Sequence, residues 1–121
     1  MSHILIYEPR AAHEDWASLL ANKGRDVRVC PNRESLVSSL GDRRPDVLIY
    51  VLGDLLEDLG LLRALRRMAA VLPIILLGGP TDLAARRSIQ ELRPTYYAVL
   101  PLERSELDDA VRGALGRATR H

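Results

Sequence analysis

Two stretches of this chain are apolar from end to end, and they restrict the fold more than anything else in it. Val47 to Leu52 reads VLIYVL, and Pro73 to Leu77 reads PIILL. A strand with one wet face alternates apolar and polar residues, whereas a strand without polar positions is covered on both faces. Coverage on both faces means a parallel sheet, because parallel strands are joined by crossovers that lay helices against the sheet.

The rest of the sequence supplies those helices. HILIY, 3–7, reads as another buried strand. Residues 11–23 carry Trp16, Leu19 and Leu20 on a helical face and end at Gly24, a left-handed helix stop. DVRVC, 26–30, alternates like a strand with one wet face. Asn32 suits the N-cap of a short helix through Leu36, Val37 and Leu40, closed by Gly41. A helix is expected over 58–71 with Leu61, Leu62, Leu65 and Met68 inward. The turn Gly78-Gly79-Pro80 bounds the strand at 73–77, a polar helix covers 82–92, and TYYAVL, 95–100, is a fifth strand. In the last helix, over 104–117, Leu107, Ala110, Val111, Ala114, Leu115 and Ala118 recur at the spacing of one buried stripe. Glu103 suits its cap and Glu106 its first turn.

Strand followed by helix, five times over, predicts a doubly wound α/β sandwich with a five-stranded parallel sheet in the order 2-1-3-4-5. Function in such a sheet sits at the carboxyl ends of the strands, around the first and third. The residues there are Tyr7, Glu8, Val51, Leu52, Gly53, Gly78, Gly79, Leu100 and Pro101.

Composition narrows function by exclusion. The 121 residues suit one domain over 1–121, with 116–121 open to being the start of a linker to an output domain. A chain this long buries roughly two-thirds of its unfolded surface, so its core needs no staples. No apolar run approaches the roughly 20 residues of a membrane span, and the first apolar strand has no basic lead-in, so neither a membrane partner nor a signal peptide is expected. Cys30 is the sole cysteine, which allows no internal disulfide and no thiolate metal cluster and fits a reducing cytoplasm. The formal net charge of +1 points to no polyanionic partner. Lys23 is the sole lysine, and the doublets Arg43-Arg44, Arg66-Arg67 and Arg86-Arg87 read as solvated helix faces and turn ends. One tryptophan and four tyrosines, with no phenylalanine, leave few platforms for stacked bases, so direct nucleic-acid binding is not expected.

The segments in order resemble the receiver domain of bacterial response regulators, a flavodoxin-like fold, over essentially the whole chain. ILIYEP looks like the first strand and its acidic turn, and VCPNRESLVSSL like the second strand and helix. PDVLIYVL looks like the third strand, LPIILLGGP like the fourth strand and its turn, and YYAVLPLERSEL like the fifth strand, a lysine–proline step and the last helix. Each segment alone is an apolar strand and a turn; their order and spacing carry the resemblance.

The resemblance implies a five-part phosphorylation site. Two carboxylates after the first strand hold magnesium, which demands a nearly full shell of oxygen ligands. An aspartate ending the third strand attacks phosphorus, while the metal and a lysine after the fifth strand neutralise the transferring oxygens. A hydroxyl after the fourth strand reads the new group out. At the matching positions stand Glu8 followed by Pro9, then Val51, Gly78 and Leu100. Val51 offers no lone pair and Leu100 no charge, so the resemblance carries over the fold and not the activity. Neither a metal nor a cofactor is expected.

Neighbouring residues read more simply. Asp54 lies three positions beyond Val51 and reads as a loop or helix-capping carboxylate, Thr81 and Asp82 as caps of the fourth helix, and Glu8 as a surface acid. The resemblance implies a cis Leu100-Pro101 bond. It also places Tyr97 where receivers carry a switching aromatic, although without a hydroxyl at Gly78 a static, partly buried tyrosine is the simpler reading.

Three functions follow. The first is a phosphorylation-independent interaction module, pairing with itself or another protein through the fourth helix, fifth strand and fifth helix, with Arg86, Arg87, Tyr97, Asp108, Asp109 and Arg112 as interface candidates. The second is a small-molecule sensor using the apolar pocket around Val51, Gly78 and Leu100. The third, an enzyme, lacks a nucleophile–base pair or a phosphate-cradling loop, and His3, His13 and His121 are scattered.

Overall fold

Five strands and five helices alternate along the chain. They are β1 (Ser2–Tyr7), α1 (Trp16–Leu20), β2 (Arg25–Cys30), α2 (Arg33–Asp42), β3 (Val47–Val51), α3 (Leu55–Met68), β4 (Ile74–Gly78), α4 (Leu83–Glu91), β5 (Tyr96–Val99) and α5 (Arg104–Thr119). The computed structural model describes residues 2–9, 16–21 and 24–119, and for 117–119 the main chain. His13, Lys23, His121, the first residues of the expected 11–23 helix and the side chain of Ala118 lie outside the described residues.

All strand pairings are parallel, in the order β2-β1-β3-β4-β5. The apolar runs explain the arrangement. Alternate residues of β1, β3 and β4 feed two separate cores. Leu5, Tyr7, Leu48, Tyr50, Ile74 and Leu76 meet α2, α3 and α4 through Leu36, Leu59, Leu62, Leu65, Ile89 and Leu92. Ile4, Ile6, Val47, Ile49, Ile75 and Leu77 meet α1 and α5 through Trp16, Leu20, Leu107, Val111 and Ala114. Each large apolar side chain so buried contributes about 1.5–3 kcal/mol, which is why the sheet centre dictates the fold.

Local chemistry sets the helix ends. The Asn32 side chain accepts from Ser35 N–H at 2.8 Å and the Ser35 hydroxyl returns a bond, closing a capping box on α2. Asp54 caps α3 through the N–H groups of Leu56 and Glu57, and Asp82 caps α4 through Ala85 N–H at 2.8 Å. Gly24, at φ +74°, takes the left-handed conformation expected of it.

Three expectations need correction. α2 does not close at Gly41; it runs through Asp42 and is capped by Arg43, whose N–H bonds Ser39 O at 3.1 Å. α3 starts at Leu55 rather than 58, where the Asp54 side chain caps it, and its buried apolar stripe is Leu59, Leu62 and Leu65, with Leu61 partly buried against the same core. Met68 is 66% exposed: the chain leaves the helix at Ala69, and Leu72 in the connection closes that face instead. β2 lacks a simple wet face, since it is an edge strand on which Val29 is exposed while Arg25 and Cys30 are buried.

Candidate functional site: the carboxyl edge of the sheet

Glu8, Val51, Gly78 and Leu100 stand at the carboxyl ends of four neighbouring strands, as the fold requires. Glu8 follows β1, is half-buried, and its N–H bonds Cys30 O at 3.0 Å. Val51 ends β3, pairs in register with Leu77, and packs on the same apolar cluster as Leu100. Main-chain bonds knit the edge: Leu52 N–H to Leu77 O at 2.7 Å and Leu100 N–H to Gly78 O at 2.8 Å. The Leu100–Pro101 peptide bond is cis. Among the described residues no three His, Cys, Asp or Glu side chains gather as metal ligands would.

Gly78 is a point of close approach. A Cβ placed there would stand 3.1 Å from Leu52 Cδ1 and 3.2 Å from Leu52 Cβ, so the leucine side chain lies directly over the glycine. Any side chain begun at this position would thus meet hydrocarbon that packs against the α3-side core.

Below this edge lies a polar network that sequence reasoning missed. The Tyr50 hydroxyl donates to Asp58 Oδ1 at 2.7 Å, and Gly53 N–H donates to Asp58 Oδ2 at 2.7 Å. Asp58 is only 5% exposed. The Tyr50 ring, fully buried, leans on Tyr7 with centroids 4.6 Å apart. Burial first, and the bond to Asp58 second, raise the Tyr50 pKa well above the ordinary tyrosine value. Asp58 thereby ties the β3–α3 loop to the floor of the sheet. The one sequence signal was an acidic residue in register with the inward stripe of α3.

The interface candidates divide into two groups. Arg86 and Arg87 project from α4 and are exposed, with no side-chain bond among the described residues. Tyr97 is half-buried on the α3-side core, and its hydroxyl donates to Gly79 O at 2.8 Å, pinning the β4–α4 turn. Asp108, by contrast, is taken up within the protomer: Arg25 bonds one oxygen at 2.7 Å and Arg112 the other at 2.7 Å, with Asp108 13% and Arg25 5% exposed in their side chains. Arg112 also bridges to exposed Asp109 at 3.0 Å. Glu106, not singled out in the sequence, accepts from the Tyr96 hydroxyl at 2.6 Å, and that bond is the chief reason the Tyr96 pKa is raised. Tyr96, Glu106, Asp109 and Gly113 border a groove of about 330 Å³ between β5 and α5.

No protein-family model matches the sequence, and no curated protein matches it. Solved structures match its shape. The response regulator receiver domain protein (CheY-like) from Methanospirillum hungatei JF-1 superposes with a TM-score of 0.85 at 16% identity, over 98% of this chain and 96% of that one. The fold is that of a response-regulator receiver domain. The chemotaxis protein CheY4 of Vibrio cholerae shares this receiver fold at a TM-score of 0.80 and 18% identity, over 95% of this chain and 99% of that one. NtrX from Brucella abortus, solved in complex with ADP, matches at 0.83 and 19% identity over 97% of this chain. The receiver-like chain spans about a quarter of the length of NtrX, 26%. In all three the likeness is one of fold.

Proposed function

We infer that this chain is a receiver-fold interaction module of bacterial two-component signalling or transcription regulation, that it works in the cytoplasm without being phosphorylated, and that it is not an enzyme. The observation that carries the reading is the replacement of the reactive edge by hydrocarbon. Val51 and Leu100 border one apolar cluster where a receiver places its acceptor and its lysine, and Leu52 covers Gly78 where a receiver places its hydroxyl. Phosphoryl transfer rests on positioned charge, and these side chains carry none. The same packing counts against a small ligand lodged over Gly78.

What is retained is surface. On this face α4 carries exposed Arg86 and Arg87, and α5 carries the exposed carboxylates of Glu106 and Asp109. Across a two-fold axis, arginines of one copy meet carboxylates of the other, an arrangement that sets register more than affinity. Because Asp108 is largely buried against Arg25 while Glu106 and Asp109 are exposed, the acidic half of the surface is Glu106 and Asp109 rather than the Asp108–Asp109 pair expected from sequence. The partner is a second copy or a signalling protein, and α5 is the natural point of attachment for an output domain.

Light scattering over a concentration series, with and without magnesium and beryllofluoride, tests this. The expected result is a self-association that neither addition alters and that reversing the charge of Arg86 and Arg87 weakens. A change in mass on adding beryllofluoride would overturn phosphorylation independence.

A further inference from the structure

α4 is thinly anchored. Of its nine residues Ile89 alone is buried, with Leu92 following at the cap. A helix that buries so little needs another attachment, since most helical stability in proteins comes from a packed face.

That attachment is a single side chain of α3. The Arg66 guanidinium, half-buried, donates to five main-chain carbonyls. Nε bonds Leu92 O at 2.9 Å, and Nη2 bonds Arg93 O at 3.2 Å, both just past the end of α4. Nη1 bonds Leu72 O at 2.7 Å, Ala70 O at 3.2 Å and Ala69 O at 3.3 Å, all in the connection from α3 to β4. Helix ends leave carbonyls unpaired, and the planar fork of arginine is the one side chain able to serve several at fixed angles. Arg93 stands at φ 54°, so the chain turns sharply there and presents its carbonyl to the fork. At the opposite end of α4, the Tyr97 hydroxyl holds Gly79 O.

We propose that Arg66 is a positioning residue, a latch that fixes the carboxyl end of α4 and the approach to β5 against α3, so that α4 opens locally when the fork is lost. The latch stands on its own geometry; that it also sets where Arg86 and Arg87 point rests on the interaction reading above.

Hydrogen exchange of Arg66→Lys and Arg66→Gln tests it. Lysine keeps the charge but cannot span two connections, so both variants are expected to speed exchange at the α4 amides and at Leu92, Arg93 and Thr95 by about tenfold or more, while Ile4 to Tyr7 in β1 keep their protection. Unchanged exchange in α4, an equal acceleration in β1, or full retention of α4 protection by lysine would each overturn the latch. Light scattering on the same variants reports separately on self-association, so the latch and the interaction surface fail independently.

Discussion

Asp58 binds two donors from one buried position, the Tyr50 hydroxyl and the Gly53 N–H, each at 2.7 Å. It joins the first turn of α3, the end of β3 and the loop between them. Removing the carboxylate leaves the buried Tyr50 hydroxyl without this partner and frees the Gly53 N–H of the exposed loop. Asp58→Ala is therefore expected to cost about 2–3 kcal/mol, and Tyr50→Phe about 1–2 kcal/mol, in urea unfolding. Near-additive losses in the double variant would contradict a shared network.

The same network gives a pH dependence. Desolvation, then the bond to Asp58, raise the pKa of Tyr50 from the ordinary 10.0. The folded chain holds this proton more tightly than the unfolded one. Its contribution is complete below the unfolded value and declines as pH rises above about 10 towards the folded value. Urea midpoints between about pH 8 and pH 11 should fall less steeply for Tyr50→Phe than for the parent. Tyr96, whose pKa is raised chiefly by its bond to Glu106, acts with the same sign, so Tyr96→Phe is the control.

Restoring an acidic side chain at the end of β3 should not restore phosphorylation. Val51→Asp sets a carboxylate against an apolar cluster with Leu100 beside it, at a cost of about 1–3 kcal/mol. Intact mass after incubation with a small phosphodonor and magnesium should show no phosphoryl adduct. An adduct on the single variant would mean that enough of the transfer site survives around Glu8.

The Arg25–Asp108 pair should matter to stability, and Asp109 should not. Arg25 is nearly buried, so removing it takes from Asp108 the more buried of the two arginines that bind its carboxylate. Arg25→Ala is expected to cost about 3 kcal/mol, whereas Asp109→Ala, 71% exposed, stays within about 0.5 kcal/mol. Thermal unfolding of the two variants compares them directly, and similar midpoints would refute the distinction.

Gly78→Ser offers a last check on the closed edge. A Cβ at 3.1 Å from Leu52 Cδ1 forces that side chain to move, so a loss of about 1–2 kcal/mol is expected. A serine tolerated without loss would show that Leu52 yields easily and that the space over Gly78 can open.

The sequence alone determined the sheet and its parallel sense, because apolar runs with no polar positions permit one kind of environment, and its order followed from right-handed crossovers between successive strands. It also determined the start of α4 and the left-handed turn at Gly24, since capping and positive φ are decided within a few residues. Asp58 and Asp108 were beyond its reach. Whether a helical carboxylate faces solvent, a tyrosine hydroxyl on the preceding strand or an arginine 83 positions away depends on how the helix is rolled against the sheet. The packing of Leu59, Leu62 and Leu65 on the sheet turned Asp58 inward, and the packing of α5 brought Asp108 onto Arg25. Arg66 makes the same point: its five acceptors come from two connections that meet only when the sheet is assembled.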